Sequence, residues 1–289
     1  RDVALAEHAG PEYGYRRRAR LAWRLQGCEV TLGYRARGSH RLIPVARCEV
    51  VVEAINSALN RVRQAIAELG DPAGEATILA ADNGVAWSLI GESGARALGG
   101  EPDPVVTVNG RQLSMKASCF AQGNASETDA IARHILSLVG QGGGAHAVEL
   151  FAGSGTWTGG LIDAGYRVTA YELDGKTRES FEKNCTGQDA TLHTADLLEI
   201  GLPEPLPERA DLVLVDPPRI GAAALTTWLR ASAAPTIVMV SCDVATGVRD
   251  AAALAEEPGG YAIERITSYD MFPHTGHQEL VIELRRRDG

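Results

Sequence analysis

The chain predicts an α/β fold in two parts. A small α+β domain with an antiparallel sheet comes first, followed by a Rossmann-like domain with a mainly parallel sheet covered on both faces. Three observations carry this. Residues 15–25 alternate with period two, the signature of a half-buried strand. From Ser126 onward, helical stretches alternate with short, continuously apolar runs, and such runs belong to parallel sheets buried on both sides. Between the first such run and its helix lies Gly153-Ser-Gly155, a glycine turn that joins strand to helix. The pattern changes near residue 117, which gives domains 1–117 and 118–289.

The elements follow in order. In the first strand Arg16, Arg18, Arg20 and Arg24 point one way, and Ala19, Leu21, Trp23 and Leu25 the other. Strand-like runs come next at 28–35 and 41–46. Val51, Ile55, Ala58, Leu59, Val62, Ile66 and Leu69 recur at helical spacing, and Gly70-Asp71-Pro72 closes that helix. Runs at 76–81, 84–90, 105–109 and 111–116 are strands separated by Asp-Asn-Gly and Gly/Pro turns. The second domain reads as helix 127–139, strand 146–151, helix 156–164, strand 167–172 and helix 174–185. Strands 189–193 and 210–215, helix 221–231, strand 236–241, helix 245–256 and strands 261–270 and 278–285 complete it. In such a sheet a ligand is expected at the carboxyl ends of the strands.

Composition narrows the class. Hydrophobic residues make up 45% of the 289, enough for a globular core. No apolar run approaches the ~18 residues of a membrane span, and no signal-peptide pattern opens the chain. A soluble, cytoplasmic monomer is expected. Five scattered cysteines (28, 48, 119, 185 and 242) without a Cys-x-x-Cys pair argue for reduced thiols and against a complete zinc site. Net charge is −9, yet residues 1–50 hold ten Arg and five acids, a local balance of +5. Local charge governs docking on phosphate, so a basic lobe on an acidic body is compatible with RNA, as it is with a merely solvated face.

The motifs point to chemistry. Glu149-Leu-Phe-Ala-Gly153-Ser-Gly155 lets backbone approach a ligand closely. Dehydrogenases use a similar turn, but an acid on the preceding strand favours a cationic ligand such as S-adenosylmethionine over a pyrophosphate. Glu172 ends the next strand, where a carboxylate can take ribose hydroxyls, and Asp196 follows the third, where an adenine edge would lie. Asp216-Pro-Pro-Arg219 ends the fourth strand in a stiff turn that aims the carboxylate. Cys242 ends the fifth. A free cysteine is more often an inert core residue, and it is the place beside the expected methyl donor that favours a nucleophile. A thiolate adding to C6 of uracil makes C5 nucleophilic, and a base must later clear the C5 proton. Glu279 is the candidate base; a solvated edge glutamate is the plain alternative. His274 and His277 lack matching ligand partners, which argues against a metal there.

These residues resemble the RNA (uracil-C5)-methyltransferases, most closely the branch acting on bacterial 23S ribosomal RNA. The matching segments are Gly14 to Leu21, Phe120 to Asn124, Glu149 to Thr156, Asp216 to Arg219, Ser241-Cys242-Asp243 with Thr246 and Arg249-Asp250, and Asp270 to Glu279. The resemblance implies Cys242 as nucleophile, Glu279 as proton acceptor, and S-adenosylmethionine contacts at Gln122, Phe151, Thr156, Glu172, Asp196 and Asp216. It also implies a four-iron–four-sulfur cluster with Cys48 as fourth ligand, its other three cysteines lying before Arg1. Where the family more often has Ser-Cys-Asn-Pro, this chain has Asp243-Val244 after the cysteine. The expected activity is formation of 5-methyluridine in 23S rRNA, with Arg16, Arg18, Arg20 and Arg24 on phosphates. A cytosine-C5 RNA methyltransferase is the near alternative, although no second cysteine stands beside the prolines at 217–218. A non-catalytic RNA-binding factor of the same fold is the alternative from another class.

Overall fold

The protein, a computed structural model, is described over residues 4–6, 10–199, 210–256 and 260–287. It forms two compact units. One comprises residues 10–107 and 114–126; the other takes residues 4–6, 108–113 and the described residues from 127 on. A single boundary at 117/118 therefore does not describe the division. The segment 108–113 counts with the larger unit, where the Arg111 guanidinium donates to the carbonyls of Gly159 and Asn184 and pairs with Asp163 at 2.8 Å.

Strand β1 (Ala4–Leu5) belongs to the larger unit. The smaller unit contains β2 (Arg18–Gln26), β3 (Glu29–Arg35), β4 (Leu42–Pro44), α1 (Glu53–Leu69), β5 (Ala73–Ala81), β6 (Gly84–Gly91) and β7 (Arg96–Gly100). Its antiparallel sheet runs β4-β3-β2-β5-β6-β7. Ile55, Ala58, Leu59, Val62 and Ile66 form the buried stripe of α1, and they pack with Ala19, Leu21, Trp23, Leu32, Ile78 and Leu89 of the sheet. Each large aliphatic buried there is worth about 1.5–3 kcal/mol. Gly70 ends the helix in the left-handed conformation, φ 73°, where a side chain would be strained. β7 is an addition to the elements the sequence predicts. Its Gly99 lies against Trp87 so closely that a Cβ would come within 2.6 Å of the indole, and a glycine-rich edge strand shows no alternation to read.

A hairpin of β8 (Val105–Val108) and β9 (Arg111–Ser114) follows. The larger unit then runs α2 (Ala125–Val139), β10 (His146–Leu150), α3 (Thr158–Asp163), β11 (Arg167–Glu172), α4 (Arg178–Cys185), β12 (Ala190–Thr194), β13 (Leu212–Val215), α5 (Thr226–Ala231), β14 (Thr236–Ser241), α6 (Val244–Ala255), β15 (Tyr261–Tyr269) and β16 (Glu279–Arg286). The sheet order is β1-β15-β16-β14-β13-β10-β11-β12. Five strands from β14 to β12 are parallel, while β16 lies antiparallel between β14 and β15. Val213, Val215, Ile237, Met239, Ile282 and Leu284 join Leu254 and Leu229 in one core. Because β10 through β14 all run one way, their carboxyl ends share one edge.

Candidate active site

The strand ends at that edge belong to the larger unit. After β10 the chain turns through Ala152 to Gly155, closed by a Gly155 N–H to Ala152 carbonyl bond of 2.9 Å. Gly153 and Gly155 have φ of 57° and 85°. Phe151 also has positive φ, 64°, a conformation that costs a residue with a Cβ and is characteristic of ligand-binding turns. Glu172, at the end of β11, holds this turn in place. Its two oxygens accept the N–H groups of Gly153 at 2.9 Å and Asp174 at 2.8 Å. A carboxylate has about four acceptor positions, so lone pairs remain for a ligand hydroxyl. Asp196, past β12, accepts from the N–H groups of Leu198 and Glu199 at 3.1 Å.

Below the turn lies Glu149, fully buried in β10. Thr158 donates to one of its oxygens at 2.6 Å, and the other has no hydrogen-bond partner. Burial pushes its pKa up to about 8, and the nearby Asp216 adds to this. Trp157 donates its indole N–H to Asp216 at 2.8 Å. The Asp216 carboxyl is itself raised by burial, and the Trp157 bond partly offsets that. Neither the raised pKa of Glu149 nor the indole bond is legible in the sequence. The only available signal was an acid inside an otherwise apolar strand.

Cys242 and Glu279 come together through sheet register. β14 and β16 pair antiparallel with Thr236 opposite Arg285 and Ser241 opposite Leu280. The register stops there, which leaves Cys242 just past the end of β14 and Glu279 as the first residue of β16, near enough for Glu279 to act electrostatically on the thiol. Glu279 pairs with Tyr269 of β15 and is only 3% exposed. Its pKa is raised by that burial and by Asp216, with Arg219 opposing. The Cys242 thiol is half-buried, and burial, Glu279 and Asp216 all hold its proton on, while Arg219 favours the thiolate. Arg219 lies 3.2 Å from a ring nitrogen of His277. Cys242, Glu279, Asp216 and Arg219 thus form one electrostatic cluster. Chemically, this is a thiol beside a carboxyl group made more basic than usual.

The departure at Asp243 has a local explanation. Asp243 is the N-cap of α6, and its side chain accepts the Thr246 N–H at 3.0 Å. Short polar side chains are favoured at this position. Gly247 lies so close to Ser241 that a Cβ would sit 2.8 Å from it, which fixes the helix against the end of β14.

The other expected residues lie elsewhere. Gln122 is buried in the smaller unit, where its carbonyl accepts from Arg17 at 3.0 Å. Thr156 is in the turn leading into α3. The arginine row is less uniform than period two implies. Arg16 precedes β2, at isolated bridges to Val51 and Asn124. Arg18 turns against the ring of Phe120, 5.8 Å from its centroid, and burial lowers its pKa. Arg20 pairs with Glu75, and Arg24 is exposed. A sequence alternation fixes which way a Cα points but not where a long side chain ends. Cys48 is half-buried, its backbone bonded twice to the Asn56 amide and its sulfur 3.7 Å from the Tyr34 hydroxyl. Among the described residues, no three His, Cys, Asp or Glu side chains are grouped as a metal site, and no helix is long and apolar enough to cross a membrane.

The fold defines the class: a Rossmann-like class I S-adenosylmethionine-dependent methyltransferase domain joined to a smaller β-rich unit. A solved structure, the Pyrococcus abyssi tRNA (uracil-54, C5)-methyltransferase in complex with S-adenosyl-L-homocysteine, superposes with a TM-score of 0.77 at 20% identity, over 98% of this chain and 79% of that one. No family model matches the chain. By sequence it is 30% identical over 95% of its length to the 23S rRNA (uracil(1939)-C(5))-methyltransferase RlmD of Halomonas elongata. The same enzyme of Chromohalobacter salexigens is 31% identical over 96% of the chain. The chain spans 66% of the length of each of these relatives. It belongs to the RNA (uracil-C5)-methyltransferase family.

Proposed function

We propose that this chain is the catalytic part of an S-adenosylmethionine-dependent enzyme that methylates C5 of a uridine in RNA, with 23S rRNA as the substrate class. The observation that carries the reading is the pairing of Ser241 with Leu280, which brings the neighbouring Cys242 and Glu279 to the same end of two adjacent strands, where Glu279 acts on the thiol. S-adenosylmethionine, when bound, supplies an electrophilic methyl group on a sulfonium. The chain offers residues suited to hold it: the Phe151–Thr156 turn, Glu172 toward ribose hydroxyls, Asp196 toward the adenine edge, and Asp216. For Gln122 the proposal rests on the resemblance alone. Cys242, once deprotonated, forms a bond to C6 of the flipped-out base, and the electron pair displaced to C5 takes the methyl group. Glu279 then accepts the C5 proton, the C6–sulfur bond breaks and the thiolate is restored. A carboxyl raised toward neutrality by burial is a better acceptor for that proton than an exposed one.

Cys48 enters as one prospective ligand of an iron–sulfur cluster. Among the described residues no matching set of ligands is grouped around it. The arginines at 16, 18, 20 and 24 are proposed for phosphate contact, with Arg20 and Arg24 the exposed members of the row.

The test uses RNA carrying 5-fluorouridine with S-adenosylmethionine. Fluorine at C5 blocks the final elimination, so a covalent adduct should persist on Cys242, detected by denaturing gel and peptide mapping. Glu279→Gln should trap the adduct on ordinary uridine. An RNA that binds measurably but yields no adduct overturns the reading.

A further inference from the structure

We infer that Asp250 is the positioning residue for the loop after β13, and that through this loop it holds Arg219 beside the thiol of Cys242. The inference deepens the proposed reading of the same site. Asp250 projects from α6 and is only 3% exposed. One of its oxygens accepts the Ala222 N–H at 2.6 Å, and the other takes Arg249 at 2.7–2.8 Å. Arg249 in turn donates to the Ile220 carbonyl at 2.9 Å. One helix therefore grips the loop at two nearby backbone groups. Gly221, between them, has φ 83°, and a Cβ there would lie 2.3 Å from Asp250, so only glycine allows this approach.

The near end of the loop is fixed as well. Pro217 and Pro218 stiffen it, and the Pro218 carbonyl accepts the Gly221 N–H at 2.8 Å. Arg219 is the residue left between the proline turn and the gripped Ile220 carbonyl. From there Arg219 reaches His277, just ahead of Glu279 on the next element. The charged groups acting on Cys242 are Glu279 from β16, Asp216 from the end of β13, and Arg219 from this loop. Two of them hold the proton on the sulfur, and Arg219 opposes them. A thiol flanked by two acids needs that cation kept in place, because the thiolate is the nucleophile. The same helix sets the strand end through Asp243 and Gly247, so α6 registers both the thiol and its cation.

The test is the pH dependence of Cys242 alkylation by iodoacetamide across pH 6–10, followed by peptide mass mapping, with exposed Cys28 as internal reference. The midpoint of the profile reports the thiolate and its plateau reports access. Arg219→Leu and Asp250→Ala should each slow Cys242 about three- to tenfold at pH 7.5 by moving the midpoint up, since one pH unit is about tenfold in thiolate. The double variant should be no slower than the slower single, as expected of two residues acting through one interaction. Asp250→Asn, which keeps an acceptor for Ala222, should recover part of the rate. Gly221→Ala displaces the loop without changing charge and should reproduce the shift, which guards against an Asp250→Ala chain that fails to fold. An unmoved midpoint in Arg219→Leu, or in Asp250→Ala and Gly221→Ala together, overturns the inference, as does a double variant whose effects multiply. Neither RNA nor S-adenosylmethionine is needed, so a failure here is distinguishable from a failure of adduct formation.

Discussion

Glu149→Gln should stabilise the protein at neutral and alkaline pH and lose that advantage in acid. Glu149 is fully buried, with one oxygen bonded to Thr158 and the other without a hydrogen-bond partner, and its pKa is raised from 4.5 to about 8. A group whose folded pKa lies above its unfolded value binds more protons when folded. Stability is then complete below about pH 4.5 and falls as pH rises toward 8. At about 1.4 kcal/mol per pH unit the loss would approach ~5 kcal/mol by pH 8, and relaxation of the surroundings reduces it to on the order of 2–3 kcal/mol. Gln keeps the shape and an acceptor for Thr158 but never ionises. Urea titrations of both proteins at pH 5 and pH 8, followed by Trp fluorescence and circular dichroism, measure the difference. The expected gain for Glu149→Gln is a higher midpoint at pH 8 that shrinks severalfold at pH 5. An equal effect at both pH values, or destabilisation at pH 8, would show that Glu149 is ionised in the fold and refute the argument.

Thr158→Val leaves a buried carboxyl without its donor and should cost about 1–3 kcal/mol in the same titrations, with no compensating loss of packing volume. Trp157→Phe removes the bond that lowers the Asp216 pKa, so S-adenosylhomocysteine binding measured by calorimetry should weaken and lose strength toward acid at a higher pH than in the parent. Asp243→Ala removes the cap of α6, whereas Asp243→Asn retains an acceptor. Because hydrogen bonding lowers the Asp243 pKa, its contribution is present above the ordinary value of 3.8 and lost as pH falls through the depressed one; a melting-temperature gap between the Ala variant and the parent that closes in acid is the expected result. For RNA, Arg24→Gln should flatten the plot of log affinity against log salt by about one phosphate contact. Salt-insensitive binding by the parent would remove the arginine row from the interface.

Much of the larger unit was legible in the sequence because its signals are local. Continuous apolar runs mark strands buried on both faces wherever they sit in the sheet, and the predicted runs at 146–151, 167–172 and 236–241 coincide with β10, β11 and β14 within a residue. Helix α1 announced itself by the spacing of Ile55, Leu59, Val62 and Ile66. Strand order carries no such mark. Nothing in residues 261–286 says that β16 inserts antiparallel between β14 and β15, and β7 escaped because Gly99 and Gly100 pack by lacking side chains.

The candidate site divides along the same line. The sequence by itself determined which groups were available: a strand-end thiol, a glutamate after a polar loop, a glycine turn with acids after it, and a stiff Asp-Pro-Pro-Arg segment. Those are chemical identities at the ends of local elements. Only the tertiary structure decided that Cys242 and Glu279 lie at the same end of adjacent strands, because register between strands distant in the chain is set by packing across the sheet. It also decided that burial raises the Glu149 pKa, that Trp157 holds Asp216, and that Asp250 grips the loop carrying Arg219. Each of these depends on desolvation and on partners brought from far along the chain, and a charge state or an aimed hydrogen bond exists only once those partners have converged.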